Sequence, residues 1–236
     1  MTAPQRHEGL TAPAEDCLKA VYELERAGAG AAVTTNDLAH RLALAAASVT
    51  GMVKRLAGQG LIDHARYRGV RLTEQGRRTA LRTLRRHRVI ETYLVSALGF
   101  DWDRVHEEAE RLEHSASDEL VDRMAAALGD PAVDPHGAPI PTRDGGIAEG
   151  PAGRALSEVA PGERGRIARV EDEDADRLRY LASLGIRPGV EFEVVERAPF
   201  GGPLTVRIAG APRQLGPQLA EHVVVIDAAT RPAAPA

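Results

Sequence analysis

Near residue 131 the sequence changes its hydrophobic period, and no single regular architecture accommodates both halves. Before that point apolar residues recur three and four apart, the spacing of helices packed by one face. After it they come in short runs of four or five separated by Gly and Pro, as strands do. A chain of 236 residues with this break holds at least two separately organised parts. The expected fold class is mainly α with a C-terminal all-β domain. Aromatics make up only 3%, so both cores must be built from Leu, Val, Ile and Ala.

The helical half opens with residues 15–26, which carry Leu18, Val21 and Tyr22 on one face. Thr35 serves as N-cap to a short helix ending near Leu42, and Leu44-Ala45-Ala46-Ala47 permits a tight turn. A second helix from Ala46 to Gln59 turns Val49, Val53 and Leu56 inward. Residues 61–65 are extended, Gly69 supplies a turn after Arg66-Tyr67-Arg68, and residues 70–73 alternate. Two short helices and a ribbon in that order form a winged helix-turn-helix, with the second helix in the DNA major groove. Its first turn offers almost no bidentate base reader. Thr35, Ala45, Ala47, Ser48, Thr50 and Lys54 are the candidate DNA contacts, with Arg66 and Arg68 on the wing. Methyl contacts and DNA shape would then carry as much preference as hydrogen bonds. A plain helix-favouring run of alanines is equally compatible with the same residues.

A long helix follows to about Leu98, and residues 104–128 read as another, capped by Asp103 and ended by Gly129-Asp130-Pro131. The stretch from 131 to about 153 is rich in Pro and Gly and reads as a linker. Beyond it, β-type runs at 166–170, 191–195, 204–208 and 222–226, with a short helix over 174–184, fit a small SH3-like barrel.

On the helix after Asp103, His106, Glu110, Glu113 and His114 fall within one stripe about 100° wide. Two imidazoles and two carboxylates converging on a buried face repel unless a cation compensates, and mixed N/O donors suit Mn, Fe or Zn. A solvated charged face is the competing interpretation. On the preceding helix His87 and Glu91 stand one turn apart and can reach one cation together; within Arg85-Arg86-His87-Arg88 they could equally be a surface pair.

Charge is divided along the chain. Residues 1–100 hold 15 Lys+Arg against 9 Asp+Glu, and residues 101–236 hold 15 against 25. A basic front half suits phosphates and an acidic rear half suits cations. No apolar run reaches the ~20 residues of a membrane span. The first 15 residues lack the apolar core of a signal peptide, so a cytoplasmic protein is expected. The single cysteine, Cys17, excludes an internal disulfide and a Cys-rich zinc module. No nucleophile motif or phosphate-cradling loop supports an enzyme. The rival readings are a metal-independent winged-helix regulator of the MarR kind, which leaves the His/Glu stripe unexplained, and a metal-dependent hydrolase.

The order of Tyr22-Glu23-Leu24, the helix-turn-helix, Leu72-Thr73-Glu74-Gln75-Gly76, His87-x3-Glu91 and His106-Glu107-Glu108-Ala109-Glu110-Arg111-Leu112-Glu113-His114 resembles the diphtheria toxin repressor family. The similarity spans about residues 12–140, and 155–227 resembles the SH3-like third domain of its longer members. The resemblance implies a winged helix-turn-helix over 1–76, a helical dimerisation and metal-binding domain over 77–140, a linker over 141–154 and an SH3-like (FeoA-like) domain over 155–230. It implies a homodimer on a palindromic operator of double-stranded DNA, with no membrane partner and no organic ligand. It places a primary site on Asp16, Glu110, Glu113 and His114. It places an ancillary site on His87, Glu91 and His106, with third-domain help near Asp174, where Glu171, Asp172, Glu173 and Asp176 are rivals. Iron-type members of the family have Met and Cys where this chain has Asp16 and Glu110; manganese-type members have Asp and Glu. Carboxylates favour the harder ion, so Mn²⁺ is the expected cofactor and Fe²⁺ the alternative, with Co²⁺ or Zn²⁺ substituting in vitro. Short manganese-type members carry a Glu where this chain has Lys19, which implies two separated sites.

Overall fold

A computed structural model describes residues 10–28, 30–65, 69–148 and 153–227. The chain divides into two compact units. One runs to Arg86 and takes in Pro141–Gly146; the other comprises His87–Ile140 and continues from Ile147. Among the described residues no helix is long and apolar enough to cross a membrane.

In the first unit, α1 (Ala12–Ala27) enters through Pro13, whose missing N–H costs nothing in a first helical turn. It buries Leu18, Val21 and Tyr22. α2 (Thr35–Arg41) and α3 (Ala46–Gly58) follow, then β1 (Ile62–Ala65) and β2 (Gly69–Leu72), paired antiparallel with Ile62 opposite Leu72. The cap of α2 is Thr34, not Thr35. Its side chain accepts from the Asp37 amide at 3.1 Å while Asp37 accepts from the Thr34 amide at 3.3 Å, and a Thr35 cap would lack that reciprocal acid three residues on. Leu38, Val49, Val53, Leu56 and Val70 close the core. Arg86, at the end of this unit, pairs with Glu15 of α1 at 2.8 Å. α4 (Glu74–Leu98) starts against the β1 entry: a Cβ on Gly76 would lie 1.8 Å from the Leu61 carbonyl oxygen, so only glycine permits that approach.

In the second unit α4 continues, and the expected single helix over 104–128 is two. α5 (Val105–Glu113) ends at His114, and α6 (Asp118–Ala127) starts afresh with the Ser117 side chain accepting from the Leu120 amide at 3.2 Å. Ser117 is a strong start signal inside what the apolar period alone reads as continuous. Ile90 and Leu94 of α4 pack on Val105 and Ala109 of α5, and Val89 on Val121 and Ala125 of α6. Residues 131–140, the first part of the expected linker, are folded. Val133 bridges Pro139, Asp134 and His136 are buried, and Ile140 joins the α6 core.

The β part contains β3 (Arg154–Ala155), β4 (Arg164–Val170), α7 (Ala175–Ser183), β5 (Glu191–Arg197), β6 (Leu204–Ile208), β7 (Ala211–Leu215), α8 (Pro217–Glu221) and β8 (Val223–Asp227). All pairings are antiparallel, in the order β3-β8-β4-β5-β6-β7. Register shifts at Ile167/Arg169 and Val194/Glu196 bend the sheet around Phe192, Val194, Val206 and Val225. Trp102, the one tryptophan, lies outside this part in sequence yet belongs to its core.

Candidate metal centre

Helical spacing places His87 and Glu91 one turn apart on the same face of α4, and His106 and Glu110 likewise on α5. Packing of the two helices through Ile90, Leu94, Val105 and Ala109 brings those faces together. His87 Nε2 lies 2.9 Å from Glu91 Oε1 and 3.1 Å from His106 Nδ1. His106 Nδ1 lies 3.3 Å from the same Glu91 oxygen. These three donor atoms form a nearly regular triangle. Its sides match the separation of neighbouring ligand atoms around a divalent ion bound at about 2.0–2.2 Å, which is about 3 Å.

The surroundings add charge. Glu113 Oε2 stands 2.6 Å from His87 Nδ1 and is fully buried, and Glu110 Oε1 is 3.4 Å from that nitrogen and 3.9 Å from His106 Nε2. His87 thus meets carboxylates at both ring nitrogens, and a neutral imidazole has only one N–H to give. Four carboxylates around two imidazoles, Glu91 and Glu113 buried and Glu110 and Glu173 partly exposed, leave an excess of negative charge that a divalent cation removes. Burial would raise the Glu91 carboxyl; the His87 charge and hydrogen bonds from His106 and His87 outweigh it and hold the acid below the ordinary carboxylate range. The donor set fits a divalent metal, with His87, Glu91 and His106 as the candidate ligands.

Of the remaining candidates, Glu113 and His114 stay neighbours and Glu110 is the one that changes company. Glu110 stands with His87 and His106. Glu113 touches His87 of α4 through one oxygen and His114 Nε2 through the other, at 3.3 Å, so it connects the two sets. Asp16 is carried by α1, half-buried, with Oδ1 shielded from solvent. Lys19 is buried on the same helix. Cys17 is fully buried, and burial, reinforced by the Asp16 charge, pushes its thiol up to about 11. Asp174 is committed elsewhere: its Oδ1 accepts the Asp176 and Arg177 amides, both at 3.0 Å, as the cap of α7. The acid of that loop that reaches the centre is Glu173, 3.9 Å from His106 Nε2. Residue counting did not separate these neighbours because only helix geometry fixes which of them turns inward.

On the DNA-binding side, Ala45, Ala47, Ser48 and Lys54 are exposed along α3 opposite Val49, Val53 and Leu56. The Thr50 hydroxyl donates to the Ala46 carbonyl at 2.8 Å, which leaves its oxygen as an acceptor only. Thr35 is half-buried in the first turn of α2. Arg66 and Arg68 lie outside the described residues.

The sequence matches three families in succession. These are "Iron dependent repressor, N-terminal DNA binding domain" over 9–70, "Iron dependent repressor, metal binding and dimerisation domain" over 73–142, and "FeoA domain" over 154–227. The iron-dependent repressor IdeR of Mycobacterium tuberculosis is 31% identical over 225 residues, covering 89% of this chain and 94% of the relative. The chain belongs to the diphtheria toxin repressor family. Its members are metal-dependent transcriptional repressors, and the fold expected from the sequence is theirs. The diphtheria toxin repressor of Corynebacterium diphtheriae is 32% identical over 189 residues, 76% of this chain and 83% of its own. Among solved structures, a manganese-dependent transcriptional repressor in complex with manganese is 41% identical, covers 91% of this chain and 99% of its own, and superposes with a TM-score of 0.82. The apo form of the manganese-activated repressor ScaR is 30% identical over 90% of this chain and 99% of its own, with a TM-score of 0.75.

Proposed function

We propose that this protein is a manganese-activated repressor that binds palindromic operators of metal-uptake genes as a dimer. The observation that carries the metal dependence is the triangle of His87, Glu91 and His106 at ligand spacing, closed in by further carboxylates. The choice of manganese rests on donor chemistry. The assigned ligands supply only oxygen and nitrogen, and the sole cysteine keeps its thiol protonated at neutral pH. The resemblance assigns the primary site to Asp16, Glu110, Glu113 and His114. Those residues would hold an ion in common, and the link would restrain the DNA-binding head and so favour the head separation that two half-sites demand. The ion supplies charge neutralisation and a fixed coordination geometry; the chain supplies the ligands and the α3 face that meets DNA.

Operator binding titrated in parallel with Mn²⁺, Fe²⁺, Co²⁺ and Zn²⁺ tests this reading. Activation by Mn²⁺ at micromolar free metal supports it. Activation by Fe²⁺ without Mn²⁺ turns the protein into an iron sensor, the second reading that IdeR's likeness keeps open. Asp16→Ala should retain fold and dimer and lose metal-stimulated binding in the same assay.

A further inference from the structure

The turn at residues 134–139 abuts the α4–α5 pair, and the metal reading leaves it unused. Asp134 is buried, and its Oδ1 accepts the His136 amide at 2.8 Å and the Ala138 amide at 2.9 Å. Its Oδ2 lies 3.4 Å from Nε of Arg88, the neighbour of His87 in sequence. Arg88 also donates to the Pro139 carbonyl at 2.5 Å. The other side of the turn grips the segment leading into α5. Trp102 Nε1 donates to the Pro135 carbonyl at 2.8 Å, and His136 Nε2 lies 3.0 Å from the Trp102 carbonyl. A carbonyl only accepts, so that nitrogen carries the proton. The Trp102 and His136 rings lie 5.0 Å apart. Burial raises the Asp134 carboxyl and the Glu91 charge raises it further, against the pull of Arg88 and His136, so the turn and the centre feel each other's charge.

We propose that Asp134 and His136 are positioning residues: their turn braces α4 against the start of α5 and thereby sets the spacing of His87 and Glu91 from His106. The brace holds residue 88, one after His87, and residue 102, about one helical turn before His106. Apolar packing between α4 and α5 supplies adhesion but tolerates small slides, whereas ligand atoms must converge within tenths of an ångström. Groups that orient ligands without touching the metal typically contribute 10–100-fold to its affinity. The proposal rests on the reading of His87, Glu91 and His106 as a metal site.

The test measures Mn²⁺ binding by calorimetry to the full chain and to Asp134→Ala, Asp134→Asn and His136→Phe, together with acrylamide quenching of Trp102 in the metal-free proteins. Trp102 is the only tryptophan and its Nε1 donates to the turn, so its quenching reports that contact together with the β-part core to which the ring belongs. Asp134→Ala should weaken one Mn²⁺ site about 10-fold or more, leave the other unchanged, and make Trp102 more accessible. Asp134→Asn keeps the acceptor for both amides and should recover most of the affinity; His136→Phe keeps a ring against Trp102 and should lose several-fold. Wild-type affinity in Asp134→Ala, or Trp102 as shielded as before, overturns the proposal. If Asp134→Ala loses helical circular dichroism, His136→Phe decides, and wild-type affinity there overturns it. His87→Ala separates the two ideas: unchanged Mn²⁺ stoichiometry refutes the metal site, and the quenching result still decides whether the turn braces α4 against the start of α5.

Discussion

At the scale of single residues, the centre is a place where charge is gathered before any ion arrives. Glu91 shows the consequence for stability. A carboxyl held below its ordinary range by His87 and His106 stabilises the fold above about pH 4.3, the unfolded glutamate value, and loses that contribution as the pH falls through the lower folded value. Glu91→Gln should therefore lower the Tm of the metal-free protein at pH 7, and the difference should shrink as the pH falls below about 4.3, as melts from pH 7 to pH 2 would show. The same variant should bind one Mn²⁺ fewer. His87, Glu91 and His106 were legible in the sequence because spacing by four fixes a common helical face and the order of helices fixes which faces meet. Glu173 was not, because a run of five acids in six residues carries no signal for which one the α7 cap consumes.

At the scale of elements, starts and stops decide more than periodicity does. Thr34 and Asp37 satisfy each other's amides at the head of α2, so Thr34→Ala should cost about 1 kcal/mol in chemical denaturation. Gly76 is a harder constraint. A methyl there collides with backbone oxygen that cannot rotate away, so Gly76→Ala should destabilise the first unit by about 1–3 kcal/mol or more and shift its urea midpoint down. Helices α1 to α4 and the ribbon were readable because each carries both a period and a terminal signal. The division of residues 104–128 escaped because the apolar period continues through Ser115 to Ser117 while the backbone does not. Strand β7 escaped for the opposite reason: Ala211-Pro212-Arg213-Gln214-Leu215 pairs fully with β6 but has almost no apolar face to announce it.

At the scale of the whole molecule, three family matches follow one another along the chain: a basic DNA-binding part, a helical metal-binding and dimerisation part, and a β part whose Glu173 comes within 3.9 Å of His106. A net charge of −4 hides this, and the basic front half means that phosphate contacts carry much of the affinity. Lys54 is exposed on α3, so Lys54→Ala should weaken binding to specific and random DNA alike and reduce the slope of affinity against salt by about one ion, measured by fluorescence anisotropy. The exposed alanines at the tip of α3 have a different effect. Methyl groups can favour a thymine methyl but do not tell the other bases apart, so a dimer built this way acts as a ruler more than as a reader. An extra base pair between half-sites moves one of them by about 3.4 Å and rotates it out of phase. In gel-shift competition that insertion should hurt more than any one substituted base, and operators for this protein should vary in letters while keeping their length.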